Sequence, residues 1–498
     1  MAVALMVQGT ASHVGKSIVA AGLCRVFSDM GYRVAPFKSQ NMSLNSFVTR
    51  DGGEIARAQE LQARAARVEP TVLMNPVLVK PKDNMRAEVI MLGKSEGDYS
   101  AMRYVKDARS RALELIKQSY VDLERDYDVV VIEGAGSPAE INLRKYDICN
   151  MKVARMSGSA VLLVADIDTG GALASVVGTL ELLRPSEREM VRGVVINKFR
   201  GDLDLLKPGL TILEKKGGKK VLGVLPFMDC SCLDEEDTLR DYGSPGARIA
   251  VVKLPHTSNF TDFTPMARAV PVRWVRSASE LEGAEAVIIP GSRNTYSDLE
   301  WMRETGIAEA VTNLAAGGVV VIGICGGYQM LGNELIDPEG LESHTGEYEG
   351  LGLLPVQTIY RSPKTTRQVK ANVIRDIPVL PGLLGKELTG YEIHTGRVEI
   401  LHDGNAGTGQ APMSFNHTDG KSEDGATNAA GNIFGTHLHG LFDNPAAVDA
   451  FRARLGMEPV AESYLELAER NIEDLGISIR ENLDMEYICD VLGIENRI

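Results

Sequence analysis

Val319-Val320-Val321-Ile322-Gly323-Ile324-Cys325-Gly326-Gly327-Tyr328-Gln329-Met330-Leu331 decides how this chain is read. Its apolar, β-branched first half predicts a buried strand, and a helical pattern follows. Between them Gly323-Ile324-Cys325-Gly326-Gly327 has the strand–turn–helix context of a nucleophile elbow, with Cys in place of Ser. A side chain at so tight a turn needs neighbours that permit unusual backbone angles and close approach. The helix N-terminus beside Cys325 favours thiolate, and the N–H groups of Gly326 and Gly327 are placed to bind an oxyanion. The competing reading is a buried structural thiol, because free Cys is among the most buried residue types. The rest of the chain weighs against it.

A second chemistry opens the sequence. Residues 2–7 predict a short strand, and Ile18-Val19-Ala20-Ala21-Gly22-Leu23 a helix. Gly9-Thr10-Ala11-Ser12-His13-Val14-Gly15-Lys16-Ser17 lies between them as a P-loop. Its backbone N–H groups cradle phosphates, Lys16 meets the β/γ-phosphates and the Ser17 hydroxyl binds Mg²⁺. Five residues rather than the usual four separate Gly9 from Gly15. Asp128-Val129-Val130-Val131-Ile132 reads as a parallel strand ending at Glu133, a carboxylate placed to hold Mg²⁺ directly or through water. The strand over 159–165 ends at Asp166 and Asp168, where an active-site acid and a helix cap weigh about equally. The strand over 191–196 leads to Asn197, placed to read a nucleobase edge. The strand over 31–38 runs into Gln40, Asn41, Ser43 and Asn45, polar side chains where parallel sheets bind ligands.

These alternations predict an α/β protein of two domains. The first, over 1–243, is a P-loop domain with a doubly wound parallel sheet. Asp241-Tyr242-Gly243-Ser244-Pro245-Gly246 is the boundary, rich in turn formers. The second, over 248–460, carries the Cys325 elbow, and 461–498 is a helical extension without a readable motif. Helices are expected over 55–67, 103–124 and 299–316, and extended strand pairs in 341–460. The candidate bases for Cys325 are His344, His394, His402, His417, His437 and His439. In a continuing strand His437 and His439 share one face.

A length of 498 residues fits two or three domains. The net charge of −14 argues against a generic nucleic-acid binder. Cys24, Cys149, Cys230, Cys232, Cys325 and Cys489 form no disulfide framework, which points to the reducing cytosol and a cytoplasmic enzyme. Cys230 and Cys232 read as incidental thiols rather than a zinc site. No apolar run reaches the length of a membrane span.

Gly-Ile-Cys-Gly-Gly-Tyr-Gln around Cys325, with a downstream His-Gly, resembles a class I glutamine amidotransferase domain. The N-terminal half resembles the dethiobiotin-synthetase-like P-loop ATPases. Both halves in this order, with Gln40-Asn41-Met42-Ser43-Leu44-Asn45, the segment 133–142, Asn197-Lys198-Phe199-Arg200-Gly201-Asp202 and Tyr391-Glu392-Ile393-His394, resemble the cobyric acid synthase family over nearly the whole chain. The resemblance implies amidation of the b, d, e and g carboxylates of adenosylcobyrinic acid a,c-diamide with glutamine, ATP and Mg²⁺. It implies Cys325 as nucleophile, His439 as base, and Gly291 with Gly326 as oxyanion donors. His437 stands where the family usually has a tyrosine-like residue. Other class I amidotransferases complete a triad with Glu two residues after the His; Leu441 stands there, so a dyad is expected. The alternatives are a related enzyme, such as cobyrinic acid a,c-diamide synthase or a cell-wall lipid amidating enzyme, and a P-loop regulatory ATPase.

Overall fold

A computed structural model describes residues 2–82, 86–229, 247–342, 346–401, 410–418, 420–460 and 462–497. Cys230, Cys232, the boundary segment 241–246, His344 and His402 lie outside the described residues. The chain folds around two parallel sheets. In the first the order is Lys220–Pro226, Val191–Phe199, Ala160–Asp166, Val3–Gly9, Val129–Glu133, Val34–Phe37. All five pairings are parallel. Val129-Val130-Val131-Ile132 is fully buried, as a parallel strand covered on both faces must be. The strand order reverses beside Val3–Gly9, the topological position where such sheets bind ligands. The P-loop helix Lys16–Asp29 begins there.

The second sheet runs Val272–Val275, Ile249–Val252, Ala286–Ile289, Val320–Ile324, Ile433–Thr436 and Ala426–Thr427, with only the last pairing antiparallel. The Cys325 strand is therefore central. The expected extended pairs appear as a long hairpin of Val356–Val373 with Glu387–Ile400. Helices form at Arg57–Ala65, Arg109–Asp126 and, for the 299–316 segment, as the pair Thr295–Glu304 and Ile307–Ala316. That segment breaks because Gly306, with φ 74°, adopts the left-handed conformation that ends a helix turn cheaply only in glycine. A further sheet of Gln40–Met42, Val77–Pro81, Arg86–Met91 and Lys94–Ser100 was not foreseen. Its outer strand, Lys94–Ser100, lacks the apolar alternation that marks a strand.

The last two helices, Tyr464–Asn482 and Met485–Leu492, fold back onto the first domain. Ile472, Leu475, Ile479 and Leu483 join the core around the P-loop helix. Gly22 of that helix lets them approach: an added Cβ would sit 2.5 Å from Ile479. Arg25, itself buried, pairs with Glu469. Among the described residues no helix is long and apolar enough to cross a membrane.

Candidate active sites

Cys325 sits between Val320–Ile324 and the helix Gly326–Leu331 with φ 53° and ψ −110°. A non-glycine residue in this region costs on the order of 1–3 kcal/mol and persists only where the surroundings impose it. The next two glycines supply that constraint. A Cβ on Gly327 would lie 2.0 Å from the Ile289 carbonyl oxygen, and one on Gly326 2.8 Å from the Ser292 nitrogen. The elbow is thus clamped against the end of the neighbouring strand. Cys325 is buried, and its Sγ–H donates to the Ile393 carbonyl at 3.4 Å.

His439 is buried beside it. Asp262 Oδ2 accepts from His439 Nδ1 at 2.6 Å, and Asp262 Oδ1 accepts the Gly440 N–H at 3.1 Å. Among the described residues His439 Nε2 makes no hydrogen bond of normal geometry, and it lies beside Cys325. Burial is the largest influence on His439 and lowers its pKa, but the Asp262 carboxylate and the Cys325 sulfur together outweigh it and carry it to about 10. Tyr391 stacks on His439 with 5.2 Å between ring centroids, and the two backbones exchange hydrogen bonds. The Tyr391–His394 segment therefore frames the site, with Tyr391 on the imidazole and Ile393 on the thiol. Gly291 lies close by: an added Cβ would be 3.5 Å from His439 Cε1.

Two expectations are corrected here. His439 is not half of a dyad, because Asp262, 177 residues upstream, occupies its Nδ1 side. Leu441 is a core residue. Nor do His437 and His439 share an environment. The strand ends at Thr436, so two-residue alternation stops applying. His437 turns to Asp424, Nδ1 to Oδ1 2.8 Å, and stacks on His394. Burial, with His394 beside it, lowers the His437 pKa.

In the first domain Gly15 caps the P-loop helix at φ 93°, and Asn197 packs so closely that a Cβ on Gly15 would lie 2.2 Å from its Nδ2. Asn197 Nδ2 donates to the Val14 carbonyl at 2.9 Å, so this side chain braces the loop as well as lining a cavity beside it. Gly9 ends the first strand and Thr10 N–H donates to the Val164 carbonyl at 2.9 Å. Lys16 Nζ donates back to the Ala11 carbonyl at 2.9 Å. Burial pulls the Lys16 pKa down to about 8 despite Glu133, with Lys38 adding repulsion.

Ser17 Oγ and Lys38 Nζ each donate to Glu133 Oε1 at 2.8 Å, while Gln62 Nε2 donates to Oε2 at 2.6 Å. Burial pushes the fully enclosed Glu133 up, but Lys38 and these donors hold it below its ordinary value. Asp166 is not part of this cluster. Lys198 Nζ donates to it at 2.8 Å and also to the His13 carbonyl.

The polar segment after the second strand divides. Gln40 lines a cavity of about 340 Å³ with Ser137, Arg144, Tyr146 and Cys149. Asn41 is buried, donating to Gln59 at 3.0 Å. Ser43 and Asn45 are buried, Ser43 Oγ on the Asn45 backbone and Asn45 Oδ1 accepting the Thr261 N–H at 3.4 Å. Next to them Ser46 N–H donates to Asn259 Oδ1 at 3.0 Å and Tyr391 Oη to the Ser46 carbonyl at 3.1 Å. This stretch thus reaches the turn that carries Asp262. Ser43 and Asn45, expected to face substrate, lie in the contact between the domains.

Residues 248–447 match the CobB/CobQ-like glutamine amidotransferase domain, and residues 5–238 the CobQ/CobB/MinD/ParA nucleotide binding domain. The cobyric acid synthase of Moorella thermoacetica is 47% identical, over 99% of this chain and 98% of its own. The probable cobyric acid synthase of Thermococcus kodakarensis is 46% identical, over 99% and 100%. This chain belongs to the cobyric acid synthase family.

Among solved structures, PurLQS from Thermotoga maritima has a TM-score of 0.33 and 20% identity, covering 42% of this chain and 98% of that one. As a member of the cobyric acid synthase family, the chain is a glutamine-dependent amidoligase of cobalamin synthesis. What the sequence reading missed in this family frame is Asp262, Lys38 and Gln62. Asp262 lies in Asn259-Phe260-Thr261-Asp262-Phe263, which carries no spacing signal toward His439.

Proposed function

We propose that the protein amidates the b, d, e and g carboxylates of adenosylcobyrinic acid a,c-diamide, using ATP, Mg²⁺ and ammonia released from glutamine at Cys325. The observation that carries the glutaminase half is the strained Cys325 elbow facing a His439–Asp262 pair. In this reading the Cys325 thiolate attacks the glutamine amide carbon, while the Gly326 and Gly291 N–H groups receive the developing oxyanion. His439 gives the proton to departing ammonia, leaving a thioester. It then takes a proton from water, whose attack frees glutamate and restores the thiolate. Asp262 keeps the His439 proton on Nδ1 and Nε2 aimed at the reaction.

A carboxylate does not yield to ammonia directly, so ATP first transfers its γ-phosphoryl group to it, giving an acyl phosphate and ADP. Ammonia then displaces phosphate. Lys16 neutralises the transferring group. Ser17 Oγ and Glu133 Oε1, side by side at 2.8 Å, form an oxygen pair suited to a hard cation, Glu133 directly or through water. Mg²⁺ bound there supplies further charge neutralisation at the phosphates. Asp166, the further acid proposed for the cation, pairs with Lys198 at 2.8 Å. Gln40 faces the cavity proposed for one edge of the corrinoid. The reducing cytosol is the proposed compartment.

The test is product mass after incubation with adenosylcobyrinic acid a,c-diamide, ATP, Mg²⁺ and glutamine. Successive carboxylate-to-amide conversions, ending at four, are expected. Absence of any amidation with either glutamine or ammonium removes the substrate assignment.

A further inference from the structure

Ser46 belongs to the first domain, yet its backbone N–H and carbonyl both reach groups that flank His439 in the second. The N–H donates to Asn259 Oδ1 at 3.0 Å, and the carbonyl accepts from Tyr391 Oη at 3.1 Å. Tyr391 stacks on His439. Asn259 leads into Asp262: its backbone is left-handed, φ 49° and ψ 41°, and its carbonyl accepts the Asp262 N–H at 3.0 Å. Asn is one of the few residues besides glycine that enter this conformation routinely. Across the same contact Asn259 N–H donates to the Leu44 carbonyl at 3.3 Å, and Thr261 N–H to Asn45 Oδ1 at 3.4 Å. Three consecutive first-domain residues thus hold the turn that carries Asp262. Their own anchorage is buried and charged. Ser46 Oγ accepts from Lys80 Nζ and donates to Glu54 Oε1, both at 2.7 Å, and Lys80 and Glu54 pair at 2.7 Å. An ion pair taken out of water adds little net stability; this one fixes Ser46 against the Val77–Pro81 strand.

We propose that Asn259 is a positioning residue for glutamine hydrolysis, through which the first-domain segment Leu44-Asn45-Ser46 holds Asp262 against His439. This rests on the reading that His439 and Asp262 serve Cys325. Asp262 Oδ2 has to stay 2.6 Å from His439 Nδ1. It rides on a single 3₁₀ turn, Phe260–Phe263, and so short a helix has few hydrogen bonds of its own to fix a side chain. Asn259 supplies the missing constraint at the start of that turn. Its left-handed backbone sets the direction of the turn, and its side chain and N–H pin the start to Ser46 and Leu44. The acid of the glutaminase is therefore held in place by backbone from the other domain. Asn259 touches neither Cys325 nor the glutamine amide in this account; it acts through Asp262.

The experiment measures kcat and KM for glutamine hydrolysis, with thermal melting, on the full chain carrying Asn259→Gly, Asn259→Asp or Asn45→Ala. Asn259→Gly is also combined with Asp262→Asn. Glycine keeps the left-handed backbone and removes the amide, whereas aspartate keeps an accepting oxygen for Ser46. Asn259→Gly is expected to lower kcat about 5- to 20-fold, the loss of one buried hydrogen bond, with KM within about twofold. Asn259→Asp is expected to recover kcat to within about threefold of wild type. In an Asp262→Asn chain the glycine change is expected to cost less than about twofold, because its effect passes through the acid already removed. Asn45→Ala withdraws the first domain's acceptor from Thr261, lowers kcat in the same direction, and decides the matter if Asn259→Gly does not fold. Wild-type kcat from Asn259→Gly, or from Asn45→Ala where the glycine variant does not fold, overturns the inference. So does an undiminished loss in the Asp262→Asn chain, or no recovery in Asn259→Asp. Wild type that releases no glutamate overturns the glutaminase reading as well.

Discussion

Asp262→Asn tests the glutaminase arrangement most sharply. Both partners are buried, and 2.6 Å separates Asp262 Oδ2 from His439 Nδ1. Burial lowers the His439 pKa, and the Asp262 charge leads the influences that carry it to about 10. The distance from an ordinary 6.5 corresponds to about 5 kcal/mol in favour of imidazolium. If Asp262 supplies half, its neutral replacement removes about 2–3 kcal/mol, or roughly 10²-fold in the step that forms the imidazolium, the taking of a proton from water. The amide also presents a donor to Nδ1, which favours the wrong tautomer and raises the loss toward about 10⁴-fold, as in serine-hydrolase triads. The assay is glutamate release from glutamine, alongside amidation driven by ammonium. Glutamate release is expected to fall between about 10²- and 10⁴-fold while ammonium-driven amidation stays within about twofold of wild type. A variant that melts like wild type and hydrolyses glutamine within about fivefold of its rate refutes a role for Asp262 in orienting the base.

Other perturbations separate the sites. Lys16→Met is expected to cut ATP-dependent amidation at least ~10²-fold and leave basal glutaminase intact, read by ADP and glutamate release in parallel. Because burial holds Lys16 low, at about 8, its charged form costs the folded state below that pH; the variant's thermal melt at pH 7 should not fall below wild type. Glu133→Gln removes the buried carboxylate charge that lies 2.8 Å from Lys38, with an expected loss of about 3–5 kcal/mol in denaturant unfolding, more than a surface carboxylate would give. His439 has a raised pKa, so its contribution to stability is complete below about 6.5 and is lost as pH rises to about 10. Unfolding free energy should therefore decline across that window, and the decline should flatten in His439→Gln.

The elbow and the P-loop were legible because each is local. Strand, tight turn and helix follow one another within about a dozen residues, and glycine marks the close approaches. Glu133 was legible for the same reason, as an acid ending a buried strand. Asp262 was not, because its relation to His439 exists only through folding and its neighbours form a short turn without periodicity. The two histidines were misread together because strand alternation was carried past Thr436, where the strand stops. Ser43 and Asn45 stand in a polar run at a strand end, which signals a site, and the same chemistry also serves a buried domain contact. The C-terminal helices gave amphipathic periodicity, which announces a packed face without saying what it packs on.

The central claim is that nitrogen freed at Cys325 from glutamine enters the corrinoid carboxylates. Wild type and Cys325→Ala would be given adenosylcobyrinic acid a,c-diamide, ATP and Mg²⁺ with amide-¹⁵N glutamine and unlabelled ammonium together, and the corrinoid product weighed. Labelled amides from wild type and only unlabelled amides from Cys325→Ala are predicted. Labelled product from Cys325→Ala, or none from wild type, would contradict it.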